Sequence, residues 1–96
     1  MRRQQAEQLG AVLNQFMREE GLETPYNEWR LVEAWPEVMG QAIARYTLSA
    51  EIRNRTLFVR LSSSIVRQEL MIGRKSLVQR LNNYVGAQVI DNIVFR

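Results

Sequence analysis

The chain has 96 residues, 46% of them apolar and 24% charged, with 13 Lys and Arg against 10 Asp and Glu for a net charge of +3. These are ordinary proportions for one globular domain with a single core over residues 1–96, and they exclude wholesale disorder. With no Cys, no His and a lone Asp, the sequence also excludes disulfides, thiolate nucleophiles, Cys/His zinc sites, imidazole acid–base chemistry and an Asp-rich calcium loop.

The first helix is predicted over Gln4 to Glu20, where Leu9, Val12, Leu13, Phe16 and Met17 form one apolar stripe at helical spacing. Gly21 stops it. Thr24-Pro25 reads as the next start, Thr as N-cap and Pro at the first helical position, followed by Tyr26, Trp29, Val32 and Trp35 at helical spacing. Pro36 is expected to break or kink this helix at Trp35, and the helical pattern resumes past Gly40 through Ile43 to Tyr46. Period 2 then takes over. Leu48, Ala50 and Ile52 alternate with polar residues, Arg53-Asn54-Arg55 makes a tight turn, and Leu57, Val59 and Leu61 alternate with Phe58, Arg60 and Ser62, which together predict a hairpin with one buried face. Ser62-Ser63-Ser64 supplies an N-cap for a helix carrying Ile65, Val66, Leu70 and Ile72. Gly73-Arg74-Lys75-Ser76 interrupts it, Leu77, Val78, Leu81 and Val85 resume it, and Gly86 ends it. The last segment, Gln88 to Arg96, is apolar in both alternating sets and predicts a strand that is central or covered on both sides.

The order is α-α-β-β-α-α-β, an α+β domain with a three-stranded sheet and helices packed on one face. It is also the element order of a K-homology domain, whose Gly-x-x-Gly loop clamps nucleotide backbone. Here Ser76 stands where the second Gly would be. No apolar run approaches the roughly 20 residues that span a bilayer, and the residues after Met1-Arg2-Arg3 are not those of a signal peptide. The expectation is a cytoplasmic protein that is not an enzyme and carries no cofactor.

The charge is unevenly spread. Residues 1–44 hold four Arg against seven Glu, for −3, while residues 45–80 hold eight basic residues against Glu51 and Glu69, for +6. A molecule with one acidic and one basic side is implied. Twelve of the thirteen basic residues are Arg, which forks onto phosphate bidentately.

Four segments carry a family resemblance. Glu33-Ala34-Trp35-Pro36-Glu37-Val38-Met39-Gly40 with Ile43-Ala44, then Leu57-Phe58-Val59-Arg60-Leu61-Ser62-Ser63, then Arg67-Gln68-Glu69-Leu70, then Leu81-Asn82-Asn83-Tyr84-Val85-Gly86 to Ile93-Val94-Phe95-Arg96, resemble in order and spacing the bacterial DciA family. The resemblance covers about residues 9–96. It implies a K-homology-like fold, no nucleotide hydrolysis, and an adaptor role in DNA replication: binding the replicative DNA helicase and assisting its loading onto single-stranded DNA.

The candidate nucleic-acid-binding residues are Arg53 and Arg55 at the hairpin tip, Arg60 beside Phe58 on an outer strand face, and Arg67, Arg74, Lys75 and Arg80 around the interrupted helix pair. An Arg beside an aromatic on a sheet face suits single-stranded DNA or RNA, charge for the backbone and a ring for a base. Trp29, Trp35 and Pro36 are the candidate partner-binding residues, with core packing as the competing reading of both tryptophans. Two further readings stay open, an RNA-binding module on the same surface and a protein–protein adaptor whose basic surface is incidental. Exposed edges of the sheet leave a homodimer open as well.

Overall fold

The computed structural model describes the backbone of residues 3–96 and the side chains from residue 8 onward. Within these residues the elements are α1 (Arg3–Glu19), α2 (Glu23–Met39), α3 (Gln41–Tyr46), β1 (Thr47–Arg53), β2 (Thr56–Leu61), α4 (Ser64–Ile72), α5 (Arg74–Val85) and β3 (Asn92–Phe95). The order α-α-β-β-α-α-β holds, with the second helical segment divided into α2 and α3.

That division falls at Gly40, not at Trp35-Pro36. Helix α2 runs through Pro36, and the Gly40 N–H donates to the Pro36 carbonyl at 2.8 Å. Pro36 removes one internal donor, but a helix held against the core on both sides of the proline, by Leu31 and Trp35 before it and Val38 and Met39 after it, tolerates that loss. Gly40 has φ 86° and ψ 166°, a region open almost only to glycine, and there the chain leaves one helix and enters another. Pro25 sits in the first turn of α2, where no internal N–H bond is lost. Thr24 lies inside that turn too, and Leu22 takes the cap position without a side-chain bond. Ser63 is the N-cap of α4, accepting from the Val66 N–H at 3.3 Å.

Strand β2 is the centre of the sheet, antiparallel to β1 and parallel to β3. Arg53 pairs with Thr56, so the hairpin turn has two residues, Asn54 and Arg55, with φ of 50° and 61°. Positive φ at both positions is the signature of a type I′ turn, whose twist matches that of the strands. Parallel pairing of β2 with β3 requires a crossover, and α4 and α5 supply it. Alternation along β2 and β3 sends Leu57, Val59, Leu61, Ile93 and Phe95 to one face, where they pack with Leu31 and Trp35 of α2, Leu70 of α4 and Leu77, Leu81 and Val85 of α5. The other face carries Phe58, Arg60 and Val94, which lie outside the core cluster, and among the described residues no helix covers it.

The strand expected over Gln88–Arg96 is shorter and lies at an edge. Val89 and Ile90 are buried, but in a loop. Asn82 of α5 makes that loop possible. Its Oδ1 accepts from the N–H groups of Val89 and Ile90 at 3.0 and 3.1 Å, and its Nδ2 donates to the Ile90 carbonyl at 2.8 Å. A side-chain amide thus replaces the ladder bonds that a strand would have made, and the apolar pair enters the core without orphaned backbone groups.

Helix α1 stands apart. Among the described residues it places no side chain in the core, and Leu9, Val12, Leu13 and Phe16 are each half or more exposed. The radius of gyration is 15.3 Å, against about 12.5 Å for a compact chain of this length.

Replacing Asn82 by Ala strands three buried backbone groups and is expected to cost about 2–3 kcal/mol. Gly40→Ala is expected to cost about 1–3 kcal/mol from backbone strain alone, since nothing lies within 4 Å of an added Cβ. Urea unfolding of both variants, with exposed Asn83→Ala as the neutral control, measures these losses.

Candidate nucleic-acid interface

The cationic side chains fall into three groups with different local bonding. The first is the uncovered sheet face. Phe58 lies at its centre, on β2, across from Glu51 on β1 and Val94 on β3. The Arg53 guanidinium sits over the ring at 4.5 Å from its centroid and that of Arg96 at 5.0 Å. Both reach Glu51 Oε1, Arg96 at 3.2 Å and Arg53 at 3.4 Å. Arg60 projects from the same face two residues along β2 and is exposed.

The second group is the hairpin tip. Arg55 is tied down there: its Nε lies 3.4 Å from Asp91 Oδ2, its Nη1 donates to the Gln88 carbonyl at 3.1 Å, and its own carbonyl accepts from the Asp91 N–H at 2.9 Å. These bonds hold a non-glycine residue in the left-handed region and fasten the hairpin to the loop before β3. Arg55 is first of all a staple between two segments.

The third group surrounds the start of α5. The sequence suggested a four-residue loop here. The structure reduces it to Gly73, with Arg74, Lys75 and Ser76 already in the first turn of the helix. These four residues therefore form no K-homology-type clamping loop, and Arg67 on α4 and Arg74 on α5 are on separate helices divided at Gly73. Arg67 is half-buried on α4. Arg74 and Lys75 stand at the positive end of the α5 dipole, with no acid in that turn and no side-chain cap on the first N–H groups. Cations are disfavoured at a helix N-terminus, so this turn concentrates positive potential that an anion would relieve. A groove of about 310 Å³ opens beside it, lined by Arg74, Lys75, Val78, Gln79, Asp91 and Asn92. Arg80, lower on α5, donates from Nη2 to the Val38 carbonyl at 3.0 Å. It satisfies the last turn of α2, where a cation is favourable.

The aromatic candidates separate cleanly. Trp35 is 2% exposed. Its indole Nε1 donates to Thr47 Oγ1 at 3.0 Å, and that hydroxyl donates to the Ile43 carbonyl. It is a core residue that offers a partner no surface, because its polar edge is satisfied internally and its ring packs near Phe95. Pro36, the next residue around α2, is exposed. Trp29 is 60% exposed and stacks on Tyr26 with centroids 6.3 Å apart, the Arg30 guanidinium lying over Tyr26. Nearby, Tyr84 donates its hydroxyl proton to Glu37 Oε2. That hydrogen bond, reinforced by the negative charge of Glu37, raises the phenol above its ordinary range. Seven of the ten acidic residues lie on or before α2, exposed apolar side chains occur on α1 and α2 and again on α4 at Ile65, Met71 and Ile72, and Arg60, Arg74 and Lys75 are exposed on β2 and the start of α5.

Sequence reasoning placed Phe58 and Arg60 on this face but missed Glu51 and Arg96. Glu51 was within reach, since a two-residue turn at Asn54-Arg55 sets 51 opposite 58. Arg96 depends on the parallel pairing of β3. Among the described residues, no group of three or more His, Cys, Asp or Glu could hold a metal ion, and no helix is long and apolar enough to cross a membrane.

The family model described as "Dna[CI] antecedent, DciA" matches residues 8–95. A UPF0232 protein of Streptomyces coelicolor is 31% identical over 80 residues, covering 81% of this chain and 42% of that protein. A UPF0232 protein of Streptomyces avermitilis is 30% identical over 80 residues, covering 81% of this chain and 44% of the relative. The chain therefore spans less than half the length of these curated relatives.

The two tryptophans provide a direct check on the exposed surface. Trp35→Phe should leave a red-shifted emission readily quenched by acrylamide, and Trp29→Phe a blue-shifted one that resists quenching. Partner docking on α2 would shift the emission of Trp29 alone.

Proposed function

The chain belongs to the DciA family, and from that premise we propose that it is a non-enzymatic adaptor of bacterial DNA replication in the cytoplasm, which contacts the replicative helicase through one face and single-stranded DNA through another. The observation that carries the reading is the match over residues 8–95, almost the whole domain. The division of charged and apolar surface supports it. Arg60, Arg74 and Lys75 are exposed and make no ion pair with a described carboxylate. They suit a polyphosphate strand, whose counterions their contacts would release. The acidic, partly apolar surface of α1 and α2, with Trp29 at its centre, would repel DNA and suits a protein. Work of this kind needs no bond chemistry. A protein that binds the DNA-engaged state of a helicase better than the free state shifts the population toward loading.

The test is a titration of labelled single-stranded DNA at low and physiological salt. Affinity should fall as salt rises, with a log–log slope of about −0.7 for each phosphate contacted. A variant carrying Arg60→Glu, Arg74→Glu and Lys75→Glu should bind roughly tenfold more weakly or worse, with a shallower slope. The same variant should still be retained by immobilised replicative helicase. Equal or tighter binding of RNA of the same sequence would favour an RNA-binding module instead. Absence of binding at low salt, with the helicase complex intact, would leave a protein–protein adaptor.

A further inference from the structure

We propose that the uncovered sheet face is a stacking platform for a base of single-stranded DNA, with Phe58 as its floor and Glu51 as an internal counter-ion that holds Arg53 and Arg96 in place until a phosphate displaces it. This rests on the reading that the chain binds single-stranded DNA, and it names the site and its control.

Phe58 is on the central strand, where its ring is framed by β1 and β3 and no helix covers it. A large aromatic at such a place has no core to join. What lies over it is two guanidinium groups, at 4.5 and 5.0 Å from the ring centroid. Neither is anchored in the core. The side chains of Arg53 and Arg96 are each about half exposed, and each is held by the same half-exposed carboxylate oxygen of Glu51. Contacts of this exposed kind are individually weak and easily exchanged.

The arrangement already contains what a nucleotide supplies. Phosphate oxygens offer the acceptors that Glu51 now provides, and Arg binds phosphate by the same two-pronged geometry as carboxylate. A base offers a flat partner for the ring that the guanidinium groups now shield, and stacking accepts any base because every base has a π-face. Each arginine can therefore move from Glu51 to a phosphate flanking the stacked base, still beside Phe58. Arg60, exposed on the same face and two residues from Phe58, extends the strand's track along β2. Glu51 then competes with the backbone of the DNA for the same two cations. It sets the affinity without touching a base.

The experiment compares an oligothymidylate with an abasic oligonucleotide of equal phosphate number. Wild type should prefer the base-containing strand by roughly tenfold. Phe58→Leu should lose that preference while keeping the salt dependence, and Phe58→Tyr should restore it. Glu51→Gln should tighten binding of both strands several-fold at low salt. Thermal melts followed by circular dichroism confirm that each variant is folded, as expected for changes on an uncovered face. Equal affinity of wild type for the two strands would overturn the platform, and an unchanged affinity in Glu51→Gln would overturn the counter-ion. The first result, with DNA binding still lost on Arg74→Glu and Lys75→Glu, places the DNA elsewhere; the second removes only the role of Glu51, and both leave the adaptor reading intact. If wild type binds neither strand, both fail together.

Discussion

Strand β2 is paired on both sides and buried on one face, and the rest of the domain is arranged around that constraint. Its backbone is saturated by β1 and β3, so neither edge is free to slip. Period-2 geometry then permits only one assignment of side chains. Leu57, Val59 and Leu61 go under α2 and α5, and Phe58 and Arg60 go outward. A shift by one residue would put Phe58 and Arg60 into the core and expose all three aliphatic residues. At about 25 cal/mol per Å² of apolar area, such an exchange is far outside the net stability of a small domain. The composition of the uncovered face is thus a consequence of the core: what the core fixes on one side it presents on the other.

Locating β3 beside β2 takes two polar devices. Asn82 satisfies the loop that carries Val89 and Ile90 inward, and Arg55 clips the hairpin tip to the same loop through Gln88 and Asp91. Their role is geometric, since parallel pairing has no tight turn to set its register. The clip also explains why the two arginines nearest the hairpin turn differ in role. Arg55 is engaged with the fold, while Arg53 lies over an aromatic ring on an open surface.

The charge division is likewise built into the topology. The N-terminal helices carry seven of the ten acidic residues, and α1 leaves Leu9, Val12, Leu13 and Phe16 of its stripe uncovered. The sheet and the start of α5 carry the uncommitted cations. The proposed adaptor role asks for such a division, because two surfaces of different character can meet two unlike partners without competition.

The element order, the hairpin and its buried face, the outward placement of Phe58 and Arg60 and the uneven charge along the chain are legible in the amino acids alone, because each follows from local periodicity or composition. The sequence also carried the family resemblance, in four ordered segments. Local signals misplaced what depends on competition between segments. Pro36 looked like a break, but α2 continues through it and the chain turns at Gly40. Apolar Val89 and Ile90 read as strand, but a distant Asn took over their backbone bonds. Gly73-Arg74-Lys75-Ser76 read as a loop, but all except Gly73 belong to α5. Whether Trp35 or Trp29 is exposed, and that Arg96 and Glu51 meet over Phe58, only the tertiary structure decided. Helical spacing allows either tryptophan to face inward, and no local rule brings residues 45 positions apart in sequence to 3.2 Å in space.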